Sequence, residues 1–305
     1  MRKHFLLLMM TLLSVTAFAE TDISSDPKVS MSTGNVVFDG GVAPAIQLLY
    51  DGYKMNSPAD YTWDGKYYTT SACTVDAGAI GDLEVGTYYV KVVGAGVYTG
   101  TRVASFDVTK KPIEVNLVAP LAKTYGDADP ALEDANIDWT GAAFKAPDDK
   151  TVFTGTLTYT YDNGNVGNHD IVVTGYNAKN YTLKVNGGLT INPKAIAAGM
   201  ITPVTLSEIY KGATFTEFAV NIKDGSKPLV AGTDFNLGVY TTEDVDVAVA
   251  AGEPINVGTY YLGISSKAGA NYSVAATTLV GTFEITQAGL TVRALNQTKV
   301  YNGTN

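Results

Sequence analysis

Residues able to do acid–base, nucleophilic or metal chemistry are few in this chain. Past position 19 it has one histidine, His169, and one cysteine, Cys73. A Ser-His-Asp or Cys-His device would have to use His169. That residue follows Val166-Gly167, where two matching stretches carry Tyr88 and Tyr260 instead. A position filled by Tyr elsewhere reads as structural. Counting excludes a zinc site built from several His or Cys ligands. There is no Walker-type glycine loop and no G-x-S-x-G elbow. The pairs Asp127 with Asp129, Asp148 with Asp149, and Asp244 with Asp246 carry hard oxygen ligands suited to Ca²⁺. None has the spacing of a Ca²⁺ loop, and turn or capping use explains Asp127 and Asp129. The expectation is no catalytic residue, no metal and no cofactor, hence no enzyme.

One segment is chemically unusual. Residues 50–68 hold Tyr50, Tyr53, Tyr61, Trp63, Tyr67 and Tyr68 among Asp, Lys, Asn and Gly. Exposed aromatics stack on sugar rings, which makes Tyr61, Trp63 and Tyr67 candidate ligand-binding residues. The competing reading places Tyr61 and Trp63 toward the core of a strand pair, with the other rings covering its edge. Trp139 reads as a core anchor. Cys73 reads as a small hydrophobe, and as the single cysteine it forms no intrachain disulfide.

The elements that would position these side chains recur with a period. An aromatic followed closely by Gly appears as Phe38-Asp39-Gly40, Tyr125-Gly126-Asp127, Tyr210-Lys211-Gly212 and Tyr301-Asn302-Gly303. Val-Gly appears as Val85-Gly86, Val166-Gly167 and Val257-Gly258. A lone Tyr follows each (Tyr98, Tyr181 and Tyr272), and then a short alternating strand beginning at Phe106, Leu189 and Phe283. Leu157-Thr158-Tyr159-Thr160-Tyr161 and Tyr181-Thr182-Leu183-Lys184-Val185 have the period-2 pattern of half-buried strands. Asn163-Gly164 signals a turn using positive φ. The Gly of each Val-Gly pair should open a strand. The best helix candidate is residues 129–134, with Asp129 as cap and Pro130 at the first position.

The division expected is residues 1–19 as a signal peptide, then β repeats at 20–111, 112–193 and 194–287. Residues 288–305 read as the opening of a fourth repeat, so further repeats or an anchor are expected downstream. The fold class expected is all-β, as tandem immunoglobulin-like antiparallel β-sandwiches. The alternative is a β-grasp-like α+β repeat with one short helix at 129–134.

Thr124-Tyr125-Gly126-Asp127-Ala128-Asp129-Pro130-Ala131-Leu132, then Asn165-Val166-Gly167, Asn180-Tyr181-Thr182-Leu183 and Leu189-Thr190-Ile191-Asn192-Pro193, resemble the MBG domain of the YGX type. The likeness runs over residues 113–193. The first and third repeats depart from it, and Lys299-Val300-Tyr301-Asn302-Gly303-Thr304 resembles the start of the sister YDG type. The resemblance implies an extracellular, adhesin-like repeat of bacterial surface proteins, and it transfers no catalytic residue.

Arg2 and Lys3 precede an apolar run at residues 5–13, and Ala17-Phe18-Ala19 supplies a small-x-small site. This is the pattern of an export signal cleaved after Ala19. The run is too short to cross ~30 Å of hydrocarbon. No later stretch is long enough either, so no membrane span is expected in the mature chain, which should be secreted or held at the cell surface. The 305 residues carry 21 Lys plus Arg against 30 Asp plus Glu, a net −9 that excludes nucleic acid as the main partner. A hydrophobic fraction of 46 % argues for folded domains. Three functions follow as expectations: a structural spacer or stalk, an adhesin or carbohydrate-binding module, or an accessory region of a large secreted hydrolase. The partners expected are glycans or host or cell-surface proteins.

Overall fold

The computed structural model describes residues 20–250, 256–296, 300, 301 and 303. The signal segment, with Ala17 and Ala19, lies outside them, as does Asn302. The described chain is nearly all β. Its helical content among the described residues is four single 3₁₀ turns, and it contains no α-helix.

The expected helix at 129–134 is therefore absent, and with it the crossing helix of the β-grasp alternative. Residues 129–133 are irregular, and one 3₁₀ turn, Asp134–Asn136, follows. The reason is local. Lys123 Nζ and Tyr161 Oη both donate to Asp129 Oδ1 at 2.7 Å, so this carboxylate is not spent on capping. Asn136 Oδ1 takes the Glu133 N–H at 2.7 Å instead.

The chain forms two compact units. One comprises residues 20–118 with Leu132–Tyr159 and Val173–Asn186. The other comprises Ala119–Ala131, Thr160–Val172 and the residues from Gly187 onward.

In the first unit, Thr101–Thr109 is flanked by Val36–Val37 in parallel and Gly86–Gly94 in antiparallel, and Tyr61–Trp63 completes the sheet. Phe106 and Val108 point inward while Asp107 points out, the alternation that a one-sided sheet requires. Ile23, Val29, Leu48, Met55, Tyr61 and Val92 form an adjoining core. Each such side chain contributes roughly 1.5–3 kcal/mol by leaving water. Lys111–Leu117 is paired with Tyr181–Asn186 in parallel and Ile137–Asp138 in antiparallel. Tyr181 and Val185 are buried and Thr182 and Lys184 face out, as the sequence pattern predicts.

In the second unit, Val204–Ile209 is parallel to Thr278–Thr286, which is followed by Gly258–Ser265 and Asn236–Tyr240. Phe235, Tyr260, Leu262, Ile264, Tyr272, Phe283 and Ile285 make its core. Leu121–Thr124, Gly188–Asn192 and Gly167–Asp170 form a smaller sheet.

The sequence markers occupy equivalent places. Gly86, Gly167 and Gly258 each open a strand. The lone tyrosines are paired in register with Thr21, Lys111 and Lys194, all in parallel ladders. After each marker aromatic the chain turns through a positive φ: 59° at Asp39, 87° at Gly126 and 70° at Gly212. That turn explains the glycine at 126 and 212, whereas in the first marker Asp39 takes the positive φ and Gly40 does not. The sheets are mixed, not purely antiparallel as expected. A repeat entered at one end and left at the other has entering and leaving strands that run the same way. Asn163 and Gly164 also differ from expectation, since neither has positive φ. Asn163 Oδ1 accepts the Asn165 N–H at 3.0 Å and shapes the bend instead.

Candidate functional site

The aromatic-rich segment is mostly interior. Tyr61, Tyr67 and Tyr68 are buried and Trp63 is half-buried. Trp63, Tyr67, Phe106 and Tyr88 form a chain of ring contacts with centroids 5.5, 5.6 and 6.0 Å apart. Tyr68 Oη donates to Asp64 Oδ2 at 2.5 Å. Tyr50 packs on Tyr98 at 5.7 Å. Tyr53 alone of this group stands out, at 80 % exposed.

Each carboxylate pair has at least one occupied member, Asp129 of the first being held by Lys123 and Tyr161. Asp148 accepts the Tyr181 hydroxyl at 2.7 Å, and Asp149 accepts the Thr151 N–H at 2.8 Å. Asp246 accepts the Thr242 hydroxyl. No group of three or more His, Cys, Asp and Glu lies close enough to hold a metal among the described residues. Cys73 is buried at φ 52°, and burial pushes its thiol pKa up. Trp139 packs on Phe144 and Phe153, with Nε1 donating to Asp134 at 3.0 Å.

His169 is buried and engaged at both nitrogens. Nδ1 lies 2.6 Å from Asp162 Oδ1 and Nε2 2.7 Å from the Asn165 carbonyl. The Asp162 carboxylate, seconded by that carbonyl, raises the imidazole pKa. In the third repeat Tyr260 Oη donates to the Asn256 carbonyl at 3.1 Å, also four residues back. His169 thus does a tyrosine's structural work and adds a group that can take up a proton.

Side chains do converge at one place within each unit, and the two constellations match. In the first unit, Asn180 Oδ1 accepts the Val85 N–H at 3.1 Å. Tyr181 beside it meets the edge of Phe38 at 5.4 Å and 86°. Lys145 Nζ sits 5.2 Å from the Phe38 ring centroid, and Lys111 pairs with Asp39 at 2.8 Å. In the second unit, Asn271 Oδ1 accepts the Val166 N–H at 2.8 Å, and its Nδ2 donates to Asn165 Oδ1 at 2.9 Å. Tyr272 meets Tyr125 at 5.5 Å and 71°, and Lys227 Nζ lies 5.4 and 5.2 Å from the two rings. Lys194 pairs with Asp224 at 2.7 Å.

The buried tyrosines are tied into carboxylates. Tyr272 Oη donates to Asp224 at 3.1 Å. Burial, with Asp148 accepting its proton, pushes the Tyr181 phenol up to about 12. Lys194 holds the Asp224 carboxyl below its usual range, and that carboxylate raises the lysine in turn. Each aromatic face therefore receives a ring edge or an ammonium, the partners its quadrupole prefers. Each arrangement fastens an Asn-Tyr pair onto an aromatic-Gly turn and a Val-Gly turn from earlier in the chain. Sequence reading marked the tyrosines and glycines by period but missed the asparagines. Asn immediately before the lone Tyr, at 180 and 271, was the available signal.

No curated protein matches the chain. Among solved structures, the extracellular cadherin domains 1–4 of protocadherin gamma B7 match at 8 % identity and TM-score 0.21. The alignment covers 75 % of this chain and 66 % of that one. The SGBP-B protein of the Bacteroides ovatus mixed-linkage glucan utilization locus, in complex with a mixed-linkage heptasaccharide, matches at 11 % identity and TM-score 0.16. There the coverage is 87 % and 72 %. These scores establish no shared fold. Residues 115–190, by contrast, match the family model of the MBG domain (YGX type).

Proposed function

We propose that this chain is the non-catalytic repeat region of an exported protein and serves as a structural spacer. The observation that carries this reading is the doubled junction: Asn180-Tyr181 on Val85 and Phe38, and Asn271-Tyr272 on Val166 and Tyr125. Repeats that fasten to their neighbours by the same contacts make a propagating array. The titratable groups that could do chemistry are spent on turns and on these junctions.

A glycan array probed with the whole mature chain tests this. The expected result is no retention. Retention on a sugar that is lost in both Tyr53→Ala and Trp63→Ala would overturn the spacer reading in favour of a carbohydrate-binding module. Export is tested by mass spectrometry of the protein recovered from culture medium and cell surface. A chain beginning at Glu20 is expected, and an intact residue 1–19 segment on the mature protein would refute it.

A further inference from the structure

The third repeat presents the same two turns with nothing from the described residues fastened to them. Tyr210 holds the place of Phe38 and Tyr125. All three backbone N–H groups donate at 2.8 Å to the last residue of their repeat's closing strand, Thr109, Asn192 or Thr286. Phe38 is 4 % exposed under its Tyr181 cover, whereas Tyr210 is 40 % exposed. Val85 and Val166 are half-buried under Asn180 and Asn271. Val257 is 49 % exposed, and no side-chain amide among the described residues reaches its N–H.

We propose that Tyr210, Lys211 and Val257 form a docking face for the Asn-Tyr strand start of a further repeat of this kind. The proposal rests on the spacer reading and names the partner of its exposed end. The charges admit that partner. In the first junction Asp39 faces Lys111, two positions past the closing-strand residue Thr109. In the third repeat Lys211 stands directly after the marker aromatic, where Asp39 does, and Ala288 stands two positions past Thr286. Lys211 Nζ rests 3.8 Å from the Phe215 ring centroid, and alanine at 288 sets no second cation beside it. The occupant is a repeat that presents an Asn-Tyr pair, as at the two fastened turns. A second copy of this chain does not fit, because its first repeat has Val97 before Tyr98 and lacks the carboxamide.

The test keeps the full chain and extends it after Asn305 with a second copy of residues 130–193, which supplies an Asn180-Tyr181 pair. A parallel version appends residues 215–287, which supplies Asn271-Tyr272. Amide hydrogen exchange is read at Val257. The expected result is exchange about tenfold slower in the extended chains, as one net hydrogen bond implies. Asn→Ala in the appended copy should restore the fast rate while its own strands stay protected. An unchanged Val257 rate beside a folded appended repeat would overturn the proposal, as would failure of both appended copies to fold there. Neither result bears on the glycan array, so the two readings fail separately.

Discussion

The side-chain carbonyl of Asn271 accepts the backbone N–H of Val166 from 2.8 Å, across 105 residues of chain. That bond satisfies a half-buried donor that no ladder reaches. Asn271→Ala should cost about 1 kcal/mol, and Asn180→Ala a similar amount at Val85. Urea titration measures the loss. Exchange at the two valine amides locates it, and each variant should accelerate only its own partner.

Tyr181 ties a ring contact, a carboxylate and a backbone donor together. Tyr181→Phe keeps the packing on Phe38 but leaves Asp148 and the Lys145 N–H without the hydroxyl. It should destabilise by about 1–3 kcal/mol, and Tyr181→Ala by about 3–5 kcal/mol. Ultraviolet titration checks the wild type, in which the Tyr181 phenol, with the raised Tyr67, Tyr68 and Tyr272, should ionise only after the exposed tyrosines have done so near 10.

His169 should make stability depend on pH. Its folded pKa is raised, so its contribution is full below the unfolded value of about 6.5 and fades as pH rises through the folded value. Asp162, lowered chiefly by His169, acts in the opposite sense and loses its contribution as pH falls below about 4. Stability from this pair is therefore greatest between those limits. His169→Tyr restores the residue of the other repeats, keeps a donor for the Asn165 carbonyl and should flatten the alkaline side. Urea midpoints at pH 5.5 and 8.5 for both proteins decide it.

Cys73 should be inert in the folded chain. A buried thiol with raised pKa presents little thiolate to an electrophile. An Ellman assay should show slow reaction in buffer and rapid, stoichiometric reaction in denaturant. Fast labelling of native protein would contradict the placement.

The strands were legible wherever one face is buried, because alternation reports burial directly. The stretches from Leu157 and Tyr181 were read that way. The Val-Gly and aromatic-Gly markers were legible because glycine records a backbone requirement. The helix at 129–134 was misread because local capping chemistry at Asp129 lost to Lys123 and Tyr161, the latter 32 residues away. The junction was hidden for the same reason: Asn180 and Val85 meet only after folding. Tyr61 was read as core-facing in one of the two alternatives, but the burial of Tyr67 depends on its ring contact with Phe106, 39 residues away, which no local pattern pairs with it.

The parallel ladders have a mechanical consequence. Val204–Ile209 lies along Thr278–Thr286 with six residues in register, Val204 on Gly281 through Ile209 on Thr286. Lys111–Leu117 lies along Tyr181–Asn186 in the same manner. Tension pulling the two strands of such a pair toward opposite ends slides one past the other, so every bond of the ladder is loaded together. An antiparallel hairpin pulled by its open ends parts one pair at a time. Single-molecule pulling should accordingly give unfolding forces well above those of an unzipping hairpin, and forces equal to it would show that the ladders bear no load.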